Sequence, residues 1–513
     1  MTDKRDKPFD LFIIGGGING AGIARDAAGR GLNVALCEMN DFASGTSSAS
    51  TKLIHGGLRY LEQYKFRLVR EALAEREVLM RLAPHIVRPL SFVLPLTPGM
   101  RPGWLIRAGL WVYDRLGGPS RLPRSRAVLL HHHNIEGQPL RPEIRRGFAY
   151  SDCWVDDARL VVLNVRAAAD LGATVLPRTE CVAAHRDGGI WRIETLDRRT
   201  GKTHHQTALV MVNAAGPWVE RVTDDVVRMP SPAAVQLIKG SHIIVPRLYQ
   251  GEHAYILQSR DRRVVFIIPY EGEFTLIGTT DVELSAMPEH LEIGAEEVAY
   301  LCDVASGYLK SPVTPKDVVW DYAGVRPLYD DGSTNPSELT RDYVLAVNHA
   351  AGQAPMLTVY GGKITTYRRL AEQAMQRIAT SFPGLKPAWT ATHSLPGGEM
   401  PGADFESFLA ALCSSHAGLP REFITALARR HGSRCRDILR GSQLMDDLGA
   451  HFGAGLTARE VDYLMDIEWA REPDDVLWRR TKCGLHMTEA QRRVVASYIS
   501  ARASAIGGDT NPG

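Results

Sequence analysis

Three features of the chain predict an α/β fold. Residues 11–28 read as strand, glycine turn and small-residue helix in Rossmann-like order, and residues 241–278 carry several short β-branched and aromatic runs. After about residue 400 strand signals thin out and helical periodicity takes over. Together these describe a nucleotide-binding domain interleaved with a mostly antiparallel sheet domain, followed by an all-α C-terminal domain.

Leu11-Phe12-Ile13-Ile14 reads as a buried parallel strand, and Gly15, Gly17 and Gly20 follow with GxGxxG spacing. The glycines allow a tight turn and close approach of backbone to a pyrophosphate, which the next helix would meet with its positive end. Ile18, Ala21, Ile23, Ala24, Ala27 and Ala28 form the face of that helix turned to the sheet. A second strand at 33–37 ends in Glu38, placed to accept from both ribose hydroxyls and to repel a 2′-phosphate. NAD and FAD both satisfy Glu38. Residues 41–50 separate them: this small, hydroxyl-rich stretch, with Thr46, Ser47 and Ser50, suits the pyrophosphate of an extended FAD. An NAD domain would run on into its next helix.

The nucleotide-binding domain then returns. Residues 157–169 read as a helix and 173–176 as a short strand. A central-strand run at 209–216 ends in Gly216, and a strand at 356–360 leads through Gly361, Gly362 and Lys363 to a helix from Thr365. That second glycine turn offers another site for a phosphate or a flavin edge. Runs at 241–245, 254–258, 264–269 and 274–278 read as the antiparallel sheet. The expected division is an FAD-binding domain from 8–80, 151–225 and 341–387, a substrate domain at 226–340 and a substrate or membrane-contact region at 81–150. A helical cap occupies 400–513.

Composition narrows the classes of function. A net charge of +2, with no basic tract interleaved with aromatics, gives no reason to expect nucleic acid. Seven cysteines without CxxC spacing argue against a disulfide framework or a structural zinc site. His131, His132 and His133 are adjacent, so their side chains diverge and no metal is expected there. The charged start is no secretory signal and no apolar run spans a bilayer, so a cytoplasmic protein is expected.

The candidate chemistry gathers near the glycines. Residues 51–60, TKLIHGGLRY, pair Gly56 and Gly57 with basic groups, so backbone can approach an isoalloxazine ring and Arg59 can offer a guanidinium fork. Arg326, Arg341 and Lys363 are further cations, each also readable as a solvated loop charge. Several cations beside a flavin point to an anionic substrate, best a phosphate monoester dianion and less well a carboxylate. Oxidising an alcohol there needs a base; His242 fits, and Arg326 would stabilise the developing alkoxide. Residues 92–116 hold apolar and aromatic residues flanked by arginines. They read either as a helix lying in a membrane interface, passing electrons to a quinone, or as a buried helix or dimer contact.

These motifs resemble the FAD-dependent respiratory sn-glycerol-3-phosphate dehydrogenase family, in its bacterial form. The resemblance is carried by IIGGGINGAGIARDAAGRG at 13–31, TSSASTKLIHGGLRYLE at 46–62, NAAGPWV at 213–219 and IKGSHIIVP at 238–246. It continues through DYAGVRPL at 321–328, TRDY at 340–343, GGKITTYR at 361–368 and DDVLWRRTKCGL at 474–485. It implies a flavin domain of the glutathione reductase/D-amino acid oxidase type and oxidation of sn-glycerol 3-phosphate to dihydroxyacetone phosphate. Electrons would pass to ubiquinone from a peripheral homodimer on the cytoplasmic face of the inner membrane. Arg59, Tyr60, His242, Arg326, Arg341 and Lys363 match the family's substrate pocket. One rival is a soluble FAD-dependent oxidase of a 2-hydroxy acid or amine. Another is a flavoprotein that only binds a partner or senses redox state.

Overall fold

The computed structural model describes residues 7–508 except 232, 260, 262 and 331–341. Its first sheet runs in the order Val344–Asn348, Met356–Tyr360, Thr203–Asn213, Phe9–Ile14, Val34–Cys37, Thr174–Leu176. All neighbours are parallel except the outer pair Val344–Asn348 and Met356–Tyr360. Thr203–Asn213 does double duty: residues 203–208 pair antiparallel with Ile190–Asp197, and its end pairs parallel with Phe9–Ile14. Helix Ile18–Gly29 lies so close to helix Tyr367–Arg377 that a Cβ on Gly22 would sit 2.7 Å from the Tyr367 ring. The small residues of that helix permit this approach. Glycine turn, ribose acid and both later returns therefore meet at the carboxyl ends of parallel strands, where open α/β sheets hold ligands.

The second sheet has ten strands, and Val235–Pro246 is its hub, pairing with Phe274–Gly278, Val282–Leu284 and Trp320–Tyr329. It is antiparallel except where Ala254–Gln258 meets Val87–Pro95. Strands at 254–258, 264–270 and 274–278 lie where periodicity placed them. Val87–Pro95, Arg146–Val155 and Leu53–Ile54 also belong to this sheet. The boundary expected at 150 thus falls inside a strand, and segment 8–80 lends two residues to the substrate domain. The boundary expected at 340/341 lies outside the described residues.

Among the described residues the C-terminal region is helical, with Phe405–Ser415, Arg421–His431, Ala458–Ile467 and Glu489–Gly508 as principal helices and one short hairpin, His451–Gly453 with Leu456–Thr457. Buried ion pairs seal it onto the flavin domain: Lys482–Asp156 at 2.7 Å, Arg178–Asp475 at 2.7 Å, and Arg159 with Glu468.

A further buried charge orders the loop after the ribose acid. Asp157, wholly buried at the start of helix Asp157–Asp170, accepts from Ser50 Oγ at 2.7 Å, Ser50 N at 3.1 Å and Lys52 Nζ at 2.7 Å. Asp157→Ala leaves the Lys52 ammonium buried without its counter-ion. It should lower unfolding free energy by about 3–5 kcal/mol. Chemical denaturation measures this, and a loss below about 1 kcal/mol would remove Asp157 as the anchor of the loop.

Candidate active site

The glycine turn is built by backbone contacts that no side chain could share. Gly15 has φ +109°, and a Cβ there would lie 2.5 Å from the Ala214 carbonyl oxygen. A Cβ on Gly20 would lie 1.9 Å from the Gly15 oxygen, so turn and helix touch backbone to backbone. Glu38 faces this turn, accepting from Gly16 N at 2.7 Å and Asn40 N at 2.9 Å. Burial pushes its carboxyl up, and the two amides pull it back. Ser47 Oγ accepts from Ile18 N at 3.0 Å, tying the hydroxyl-rich loop to the start of the helix. Thr46 Oγ1 donates to the Val325 carbonyl at 2.6 Å, hooking the same loop to the second sheet.

A cavity of about 350 Å³ follows these groups. It runs from Glu38 and Thr179 past Gly15 and Gly17 and along Ser44–Ser47, then by Gly216 and Trp218 to Pro327, Gly361 and Gly362. A lining that combines an acid, a hydroxyl-rich loop and two glycine turns fits a dinucleotide. Asn19 at the helix start adds a second sign: its Nδ2 donates to the Gly361 oxygen at 3.1 Å, while its buried Oδ1 has no partner among the described residues. FAD therefore fits the groups present, with Glu38 toward the ribose and the Gly361-Gly362 end toward the isoalloxazine.

Gly15, Gly17, Glu38, Thr46, Ser47, Gly216 and Gly362 line this groove, and Gly20 packs beneath it. Ser50, Gly56 and Thr365 do not line it. The Ser50 hydroxyl is turned to Asp157, and Thr365 Oγ1 accepts from His55 N at 3.4 Å. Gly56 is small because Leu73 and the Tyr113 hydroxyl crowd it, each 2.6 Å from where a Cβ would be.

His242 and Arg326 come from neighbouring strands of the second sheet. His242 is 2% exposed and stacks on Tyr322 with centroids 4.8 Å apart. Its Nε2 shares a 2.9 Å hydrogen bond with Thr51 Oγ1. Burial, then the charges of Arg326 and Lys52, hold the imidazole well below its usual range, so it is neutral at pH 7. Arg326 forms an ion pair with Asp281 and donates to the Thr280 oxygen at 2.8 Å. Its guanidinium is thus oriented from behind. Thr51, Tyr322 and Asp281 went unrecognised in the sequence because each acts through a partner far along the chain. Asn19 lay inside the fingerprint, at a position where any residue is allowed.

A second group forms around the two glycine turns. Lys363 Nζ lies 4.0 Å from the centroid of the Tyr60 ring, and Tyr60 folds back over Gly57, whose φ is +72°. Arg59 opens the short helix Arg59–Glu62 and is half-buried. Among the described residues, neither Arg59 nor Lys363 has a carboxylate partner. Arg341 lies outside the described residues.

Residues 10–368 match the family model for FAD dependent oxidoreductases, and residues 388–510 match the C-terminal domain of alpha-glycerophosphate oxidase. The chain is 53% identical over 491 residues to a glycerol-3-phosphate dehydrogenase of Pseudomonas aeruginosa, covering 96% of this chain and 95% of that one. It is 51% identical over 490 residues to the D-erythritol 1-phosphate dehydrogenase of Brucella abortus, with 96% and 97% covered. The glycerol-3-phosphate dehydrogenase of Bacillus halodurans, solved with FAD, superposes with a TM-score of 0.72 at 28% identity, covering 97% and 95% of the two chains. A glycine-cradled dinucleotide groove under an antiparallel sheet defines an FAD-dependent oxidoreductase. Within that class, the chain belongs to the FAD-dependent glycerol-3-phosphate dehydrogenase family.

A neutral, buried His242 has a kinetic consequence. The limiting rate of flavin reduction should stay flat down through about pH 6 and fall only below it, because the folded imidazole resists protonation. Stopped-flow traces across pH check this. An acid limb near the ordinary histidine value of about 6.5 would remove His242 as the proton acceptor.

Proposed function

We propose that this enzyme oxidises sn-glycerol 3-phosphate at C2 to dihydroxyacetone phosphate. The observation that carries this reading is the pair of cations, Arg59 and Lys363, held beside the cofactor groove without a carboxylate partner among the described residues. A cation left unpaired in a half-buried site favours an anionic ligand, and a phosphate monoester supplies two charges and three acceptor oxygens. Arg59 takes the phosphate through its fork, with Arg341 as a further candidate. Lys363, kept over the Tyr60 ring, adds a point charge. Bound FAD supplies the hydride acceptor. His242 takes the hydroxyl proton in the same event through Nδ1, the ring nitrogen that Thr51 does not engage, and Arg326, oriented by Asp281, stabilises the oxygen as it gains charge. Thr51 fixes the imidazole ring in place.

The Brucella relative supports a second reading, D-erythritol 1-phosphate, which has the same phosphate and a longer polyol. Anaerobic mixing with each ester separates them: the true substrate bleaches the flavin rapidly. If neither ester bleaches it, the dehydrogenase reading falls. Arg59→Ala should weaken the apparent affinity for the ester by about 10- to 100-fold while FAD stays bound. Unchanged affinity would end the phosphate assignment.

Electrons leave, on this proposal, to ubiquinone at the cytoplasmic face of the membrane. Helix Gly103–Leu116 supports it. Trp104 is 73% exposed, Trp111 52% and Leu105 37%, with Arg101, Arg107 and Arg115 around them. Among the described residues no helix is long and apolar enough to cross a membrane, so contact there would be peripheral. Replacing Trp104, Leu105 and Trp111 by glutamine should abolish flotation with anionic vesicles and leave turnover with a soluble quinone analogue intact. Retained flotation, with loss of a dimer in light scattering, would instead make this face the homodimer contact. Oxygen consumption without quinone reduction would favour the soluble oxidase.

A further inference from the structure

Helix Gly103–Leu116 has an inner side as well as an exposed one. Its inward residue Tyr113 is 2% exposed and reaches the substrate turn. The Tyr113 hydroxyl accepts from Gly56 N at 2.9 Å and donates to Asp152 Oδ2 at 2.7 Å. Asp152, itself 1% exposed, is ion-paired at 2.7 Å with Arg76, 6% exposed, on helix Phe66–Leu82. The result is a one-way chain of donors, from the Gly56 amide to the tyrosine oxygen and from the tyrosine to a carboxylate fixed by a guanidinium. Each bond polarises the next. Burial, then the Asp152 charge, pushes the phenol well up, so the hydroxyl keeps its proton.

The bond matters because of what Gly56 precedes. Gly57 has φ +72°, and the Tyr60 ring folds over it, close enough that a Cβ on Gly57 would lie 2.3 Å from that ring. Tyr60 N donates back to the Gly57 oxygen at 2.9 Å, and the Tyr60 face carries the Lys363 ammonium. Gly56 has little freedom of its own, being crowded by Leu73 and Tyr113. The orientation of the Gly56 peptide therefore decides where Arg59 and Tyr60 stand.

We propose that Tyr113, braced by Asp152 and Arg76, is a positioning residue that sets the Gly56-Gly57 turn and through it the substrate groups Arg59 and Tyr60. This rests on the assignment of Arg59 and Tyr60 to the phosphate ester. In the FAD-loaded full chain, Tyr113→Phe should raise the apparent Kd for sn-glycerol 3-phosphate by about five- to tenfold, the effect of one lost buried hydrogen bond. FAD content and the limiting rate of flavin reduction should hold within about twofold. Tyr150→Phe is the control: Tyr150 packs edge-on against Tyr113 at 5.9 Å, so this change removes a hydroxyl from the same cluster without touching Gly56. It should leave the Kd unchanged. Hydrogen exchange at the Gly56 amide reads the bond without turnover and should be faster in Tyr113→Phe. An unchanged Kd in Tyr113→Phe, an equal rise in Tyr150→Phe, or unaltered exchange at Gly56 would overturn the proposal. Should Arg59→Ala also leave the Kd unchanged, the failure would lie with the substrate reading, and this assignment would fall with it.

Discussion

A carboxylate with no access to water has to be surrounded by donors, and Asp157 imposes that condition on the loop that roofs the cofactor groove. Besides the Ala158 amide of its own helix, its partners are the Ser50 amide, the Ser50 hydroxyl and the Lys52 ammonium, which belong to the run between Glu38 and the Gly56-Gly57 turn. Lys52 has φ +58°, a left-handed conformation that a lysine rarely adopts, and it also donates to the Ser48 oxygen at 3.0 Å. The ion pair thus holds the chain in a form it would not choose alone. Ser47 can then meet Ile18 N, and Thr46 can meet Val325. The hydroxyls of Thr46, Ser47 and Ser50 are thus each held by a different element of the protein.

The site divides its charges into paired and unpaired ones, and the division matches the chemistry. Arg326 is ion-paired and hydrogen-bonded from behind, so its direction is set before anything binds. Preorganised dipoles of this kind stabilise developing charge without having to reorient. Among the described residues Arg59 and Lys363 have no carboxylate partner, which leaves their charge available to a ligand. His242 stays uncharged, since burial and two nearby cations, Arg326 and Lys52, all oppose an imidazolium. A charged histidine there would be unable to accept a proton. The cations that keep His242 neutral, Arg326 and Lys52, are thus different from Arg59 and Lys363, the pair proposed to bind the ester.

Much of this was legible in the residues. The strand–glycine–helix unit, Glu38, the glycine turn at 361–362 and the strands at 254–278 fall where periodicity and turn chemistry place them, because local sequence governs each. The cofactor residues that line the groove are those whose role is local in the same sense. Ser50, Gly56 and Thr365 were assigned to the cofactor by their neighbourhood, yet their polar groups meet Asp157, Tyr113 and His55. Asp157 lies 107 residues from Ser50 and Tyr113 lies 57 from Gly56, separations over which periodicity carries no information. The strands Val87–Pro95 and Arg146–Val155 were hidden for another reason: their pairing brings together segments separated by helix Gly103–Leu116, whose amphipathic pattern dominates that stretch.

The C-terminal domain contributes no residue to the groove of the flavin site, yet it holds one end of the same loop. Asp41, 2% exposed at the start of the hydroxyl-rich run, accepts from Arg479 Nε at 2.6 Å and from Arg480 Nη2 at 2.8 Å. Arg480 is itself fully buried, so neither partner could be left alone without an uncompensated charge in the interior. With Asp41 pinned to the C-terminal domain and Ser50 pinned to helix Asp157–Asp170, the intervening stretch is clamped at both ends. Its backbone can then lie along the groove with little freedom left to lose when a cofactor arrives. The WRRTK segment at 478–482 thus holds, through Asp41, one end of the loop that lines the groove. The helical domain is a structural part of the cofactor site and more than a cap added to a complete enzyme.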